Sequence, residues 1–253
     1  MRNNMRTLFP VVLAALCVFV HTLPVSGQAA QPVVRILLSG DSTVCNYKQD
    51  APQRGWGQML GQFFNNNVSI TNLAVSGTST KTFRTLGYWD KLLAQLKPGD
   101  YVMCQFGHND SHDKGKPEST DAGTEYQANL KKFIDEVKGR GANIVLVTPM
   151  HRGIFGKDGK MSQELLPYAE AMKKVAKENN VALIDLYTAS GEYMEKTGSE
   201  NIDPVFCGVK NDRTHFSENG ALIMAEFVAK GFVAAKYPLA EYLKLNAGIK
   251  KTD

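Results

Sequence analysis

Four short stretches hold residue types that could do chemistry together. Gly40-Asp41-Ser42-Thr43 follows the apolar run at 33–38. A serine at a strand-to-helix turn presents its hydroxyl at the sheet edge, and its own N–H can face a developing oxyanion. Gly-Asp-Ser is also an ordinary turn sequence, and it lacks the Gly-Lys pair and glycine spacing of a phosphate-binding P-loop. Ala74-Val75-Ser76-Gly77-Thr78 follows a second apolar run. There Gly77 offers an N–H with no side chain in the way, or is simply a turn glycine. In Gly107-His108-Asn109-Asp110, Asn109 supplies an amide donor, worth ~3–4 kcal/mol when aimed at a developing oxyanion. Taken alone it is a turn-forming Asn-Asp pair. In Asp212-Arg213-Thr214-His215 an aspartate three residues before a histidine can fold back onto its Nδ1–H. That fixes the tautomer and leaves Nε2 free to take a serine proton. Each stretch has a bland reading. Their joint order along the chain (nucleophile, donor, donor, acid and base) points to acyl transfer through a serine.

Such residues need a scaffold that gathers distant loops. The apolar runs at 33–38, 68–72, 101–105, 143–147 and 181–184 are short and β-branched, as buried strands are. Helical stretches are expected at 56–64, 88–95, 124–140, 165–179, 192–197 and 217–236. Ser217 is a candidate N-cap of the last, and Pro238 lies just past its end. Alternating strands and helices imply an α/β fold with a parallel sheet covered on both faces. Ligands bind beyond the carboxyl ends of such strands, where all four stretches fall or which they face. No repeat and no Pro/Ser linker divides the chain.

Of the 253 residues, 43% are hydrophobic and 21% charged, which excludes disorder and allows a large core. Arg2 and Arg6 precede the apolar run Leu8–Val20 and the small residues Val25-Ser26-Gly27, the pattern of a secretory signal. The run is roughly 13 residues, short of the ~18–20 that span a bilayer. Residues 1–27 are therefore expected to be a signal peptide, cleaved after Gly27 or alternatively after Ala30. One domain is expected over 28–253, secreted or periplasmic, off the membrane after cleavage, and monomeric. The formal charge of +4 falls to about +2 without the leader, too weak to imply a nucleic-acid partner. Cys45, Cys104 and Cys207 remain, as one disulfide and a free thiol or as three thiols. No C-x-x-C pair suggests zinc.

Taken together, the four blocks resemble the SGNH (GDSL-like) hydrolase superfamily. Within it, GDSTV, RGWGQML, NLAVSGTSTKTF, KPGDYVMCQFGHND and DRTHFSENGA resemble the rhamnogalacturonan acetylesterases, over nearly all of 35–237. The resemblance implies a flavodoxin-like three-layer α/β/α sandwich around a five-stranded parallel sheet. It implies Ser42, Asp212 and His215 as catalytic residues, an oxyanion hole of Ser42, Gly77 and Asn109, and no metal or cofactor. The implied activity is removal of O-acetyl groups from a plant cell-wall polysaccharide, foremost rhamnogalacturonan, with acetylxylan or another carbohydrate ester as the alternative. One departure stands in the second block, where Thr78 occupies a position that is often arginine.

Further residues have two readings. Trp56, between Gly55 and Gly57, is a sugar-stacking ring or a core residue. His151 and Arg152, after the fourth strand, contact a uronate or form a solvated loop. Lys81 and Arg84 are a charged helix face before they are ligands. A metal phosphoesterase is a rival, since His108, Asp110, His112 and Asp113 could hold a divalent ion. The first strand lacks Asp-x-His, however, and the His/Asn order is inverted. A carbohydrate-binding protein without catalysis would be signalled by loss of the nucleophile or base, and neither is lost.

Overall fold

The computed structural model describes residues 34–244; the expected leader lies outside them. Five strands, β1 (Val34–Gly40), β2 (Val68–Asn72), β3 (Tyr101–Gln105), β4 (Asn143–Val147) and β5 (Ala182–Ile184), form one sheet in the order β2-β1-β3-β4-β5. Every pairing is parallel. Side chains alternate across a strand, so each apolar run feeds two cores. Ile36, Leu38, Met103, Val145 and Ile184 enter one, while Leu37, Val102, Cys104, Ile144 and Leu146 enter the other.

Among the described residues seven helices cover the two faces: α1 (Trp56–Met59), α2 (Thr80–Thr85), α3 (Tyr88–Leu93), α4 (Glu125–Lys138), α5 (Leu166–Glu178), α6 (Leu186–Thr197) and α7 (Glu218–Ala234). Helices α1, α6 and α7 pack into the first core, and α2 to α5 into the second. In α4 the buried Tyr126, Leu130, Phe133, Ile134 and Val137 recur at helical spacing, so one stripe faces the sheet. The result is the three-layer α/β/α sandwich expected from the sequence.

The order 2-1-3-4-5 places a topological switch at β1, whose neighbours run off in opposite directions; crevices at such points bind ligands. Gly40, at the end of β1, is required by close approach. A Cβ there would lie 2.6 Å from Val44 Cγ2 and 2.8 Å from the Gln105 carbonyl oxygen.

Several element bounds differ from expectation. The stretch expected as one helix at 56–64 is a single turn, α1, followed by a 3-10 turn, Leu60–Phe63. Helix α2, expected only as a charged face carrying Lys81 and Arg84 and without bounds, starts at a reciprocal capping box of Ser79 and Thr82. Helix α6 begins at Leu186 rather than 192, because Asp185 caps it by accepting from the Thr188 N–H. The three described cysteines are unpaired.

Candidate active site

The turn that carries the candidate nucleophile Ser42 is wired from below. Asp41 is fully buried and its Oδ1 accepts from the Thr43 N–H at 2.8 Å and the Thr43 hydroxyl at 2.7 Å. The same hydroxyl accepts from Gln105 Nε2 at 3.0 Å, and Gln105 Oε1 accepts from the Trp56 indole at 2.6 Å. A line of buried hydrogen bonds thus runs from the first core to the residue before Ser42. The carbonyl of Ser42 accepts from the Tyr47 hydroxyl at 2.9 Å.

The candidate acid and base, Asp212 and His215, come from the loop before α7. Asp212 Oδ1 accepts from the N–H groups of Thr214 and His215, both at 2.9 Å. Aspartates commonly fold a turn onto themselves this way. The turn brings His215 Nδ1 to 2.8 Å from Asp212 Oδ2 and His215 Nε2 to 2.9 Å from Ser42 Oγ, across 173 positions of chain. Nδ1–H donates to the carboxylate, so Nε2 is free to accept the serine proton. Burial pushes the Asp212 carboxyl up, but donors from His215 and Thr214 outweigh it and hold it below the usual range. The Cys207 thiol donates to the same Oδ2 at 3.5 Å.

The expected oxyanion donors stand at neighbouring strand ends. Gly77 has φ +78°, with open space where a Cβ would be; other residues adopt this backbone only with strain. Asn109 Nδ2 donates one hydrogen to the Thr78 carbonyl at 2.8 Å, which leaves its second N–H uncommitted. Among the described residues no backbone partner accepts from the N–H of Ser42 or of Gly77. Thr78 is buried and its hydroxyl donates to the Val75 carbonyl at 2.7 Å. Position 78 therefore braces the loop rather than reaching outward.

The residues considered as sugar contacts are placed differently. Trp56 is 0% exposed and serves as a core donor, so it offers no stacking face. His151 is 5% exposed, its ring lies 3.9 Å from that of Tyr187, and its Nδ1 is 3.1 Å from the Ser162 carbonyl. Burial lowers its pKa. Arg152 does reach the catalytic edge, but Nη1 pairs with Glu164 at 2.7 Å and Nη2 donates to the His108 carbonyl at 2.9 Å. Arg84 is held by Glu136 through two bonds of 2.8 Å, and Lys81 lies 3.4 Å from Glu125.

The acidic and imidazole groups near β3 point apart. His112 Nδ1 is 2.7 Å from Glu118 and Asp113 is solvent-exposed. Asp110 is sealed beneath, accepting from the hydroxyls of Thr80 and Thr120. Burial raises its pKa to about 7, with the Thr80 and Thr120 donors partly opposing. Among the described residues no three metal-ligating side chains converge. Sequence reasoning missed Gln105, Thr43, Tyr47 and Cys207. Their contacts are made across the fold or within turns whose geometry the residue types do not reveal.

Comparisons with known proteins agree with this architecture. Residues 38–223 match the GDSL-like Lipase/Acylhydrolase family. The rhamnogalacturonan acetylesterase RhgT of Bacillus subtilis is 36% identical over 85% of this chain and 96% of its own. The rhamnogalacturonan acetylesterase of Emericella nidulans is 26% identical over 82% of this chain and 88% of its own. The crystal structure of YxiM from Bacillus subtilis superposes with TM-score 0.74 at 30% identity, over 82% of this chain and 58% of that longer one. The acetylxylan esterase Axe2 of Geobacillus stearothermophilus shares the fold, with TM-score 0.62 at 21% identity over 79% of this chain and 94% of its own. With most of its length matched by the family and by a relative above 30% identity, this chain belongs to the GDSL-like lipase/acylhydrolase family of ester-hydrolysing enzymes.

Proposed function

We propose that the protein removes O-acetyl groups from a plant cell-wall polysaccharide, foremost rhamnogalacturonan, through an acetyl-enzyme on Ser42. The observation that carries this reading is the continuous relay from Ser42 Oγ through His215 to Asp212, at 2.9 and 2.8 Å. The substrate class rests on the rhamnogalacturonan acetylesterases among its relatives.

In this mechanism His215 Nε2 takes the Ser42 proton as Oγ attacks the acetyl carbonyl. Asp212 keeps the imidazole oriented and stabilises its charged form. The tetrahedral oxyanion sits among the N–H groups of Ser42 and Gly77 and the Asn109 amide. His215 then gives its proton to the departing sugar oxygen, and water repeats the sequence on the acetyl ester to release acetate. General-base assistance contributes ~10²–10⁴-fold. No step calls on a metal or an organic cofactor. The enzyme acts as a monomer outside the cytoplasm after loss of residues 1–27, which N-terminal sequencing of the exported protein checks.

The test is acetate release from a panel of acetylated polysaccharides, with Ser42→Ala as control. Fastest release from rhamnogalacturonan supports the reading. Faster release from xylan supports the second reading, acetylxylan, favoured by the 26%-identical acetylxylan esterase of Geobacillus stearothermophilus. No release from any acetylated carbohydrate overturns both.

A further inference from the structure

Three buried polar atoms without a well-formed hydrogen bond cluster beneath the nucleophile. They are Asp41 Oδ2, His108 Nδ1 and His108 Nε2. Asp41 Oδ2 and His108 Nδ1 face each other at 3.5 Å, with the two side chains 0% and 3% exposed. Unpaired buried polar atoms are rare in folded proteins and call for an explanation.

Their place in the chain supplies one. Asp41 is bonded to Ser42, and His108 is bonded to Asn109. The β1–β3 ladder ends at Gly40 paired with Gln105. Beyond that pair no backbone hydrogen bond joins the two loops among the described residues. What spans the gap is side chains: Gln105 to Thr43 at 3.0 Å, and Asp41 to His108. Each end of the second pair is anchored from outside. Thr43 holds Asp41 Oδ1. The Arg152 guanidinium and the Ser111 hydroxyl, each at 2.9 Å, hold the His108 carbonyl. Burial pushes the Asp41 carboxyl up, yet the His108 side chain and the Thr43 donors outweigh it and keep it below the usual range. A charged oxygen therefore faces the imidazole.

We propose that His108 is a positioning residue of the oxyanion hole, its pairing with Asp41 forming a strut that fixes the separation between the Ser42 N–H and the Asn109 side-chain amide. His108 touches no reacting atom; it acts through Asn109. The inference rests on the reading of Ser42 and Asn109 as oxyanion donors. A displacement of about 1 Å in such a constellation lowers turnover ~10²-fold, so a buried pair at this position has a direct route to the rate.

The test is steady-state hydrolysis of p-nitrophenyl acetate by His108→Ala, His108→Asn, His108→Gln, Asn109→Ala and the double variant His108→Ala/Asn109→Ala. Near-UV circular dichroism establishes that each is folded. His108→Ala is expected to lose ~10–10²-fold in kcat with KM within about 2-fold, since only the transition state carries the oxyanion. Asparagine places an amide nitrogen where Nδ1 stands, so His108→Asn restores most of kcat. Glutamine places one near Nε2 instead, and His108→Gln does not. The double variant is no slower than Asn109→Ala, because residues acting through one another are not additive.

Wild-type kcat in folded His108→Ala, equal damage from asparagine and glutamine, or multiplying losses in the double variant each overturn the strut. Should His108→Ala fail to fold, the asparagine and glutamine pair decides alone. Wild-type turnover by Asn109→Ala overturns the oxyanion reading and the strut with it, whereas a normal His108→Ala beside a crippled Asn109→Ala overturns the strut only.

Discussion

A serine hydroxyl 2.9 Å from an imidazole becomes a nucleophile only if the proton it gives up has somewhere to rest. In the proposed mechanism that place is His215 Nε2, and the imidazole is oriented by Asp212, to which its own loop donates two N–H groups. Ser42→Ala and His215→Ala should each lower p-nitrophenyl acetate turnover by at least ~10³-fold without unfolding the protein; comparable turnover by either removes that residue from the mechanism. Asn109→Ala should lose ~10²–10³-fold, and an unchanged rate excludes it from the oxyanion hole. Trp56→Phe keeps most of the apolar volume but strands Gln105 Oε1 in the core. It should cost ~1–3 kcal/mol, read as a lowered urea midpoint; an unchanged midpoint would show that the indole donor is dispensable. The Asp212–His215 contact was legible in the sequence because three-residue spacing lets an aspartate fold back onto its histidine, whereas the approach of Ser42 across 173 positions was implied only by the order of the four stretches and the family resemblance. Trp56 was not, since the same tryptophan between glycines can line a surface or fill a core, and only the approach of β3 decides.

The elements divide in the same way. Strands β2, β3 and β4 follow directly from their apolar runs, and α4 from its buried stripe. The bounds of helix α2, foreseen only as a charged face at Lys81 and Arg84, could not be read because Thr-Lys-Thr-Phe-Arg-Thr carries no apolar periodicity, and its start depends on a capping box that alternates with ordinary turn bonding. Helix α6 begins early because a cap at Asp185, seven residues before the expected start, outweighs the poor helix propensity of its Thr, Ser and Gly residues. Helix α7 determines where His215 sits. Its N-cap, Ser217, accepts from the Gly220 N–H at 3.1 Å and donates to the Pro204 carbonyl at 2.7 Å. Ser217→Ala should lower stability by ~1 kcal/mol, seen as a lower melting temperature, and should slow turnover as the loop 212–216 loses its anchor. An unchanged melting temperature would show that α7 is held by its apolar face alone.

For the whole molecule, the sheet order concentrates every candidate catalytic group at one edge and leaves charge buried beneath it. Asp110 titrates near 7 in the folded protein, against about 3.9 for a carboxyl in an unfolded chain. Between those values the folded state binds a proton that the unfolded state has lost. Stability from this group is therefore present at acid pH and falls as pH rises from about 4 to about 7. Asp41, Asp212 and Glu136 are shifted the other way, so their contributions are lost only as pH falls through the acid range. Replacing Asp110 with asparagine should narrow the stability gap to wild type at pH 8 relative to pH 5, measured by urea unfolding; an identical gap at both would show that Asp110 is not the titrating group. The pairing of Ser42 with a partner 173 positions later has a consequence for biosynthesis. A nascent polypeptide emerging from the ribosome can lay down β1 and its neighbours early, yet it stays chemically silent until the stretch preceding α7 has been translated. Stalling translation before codon 215 should yield products that hydrolyse no ester, so that activity reports on completeness as well as on folding.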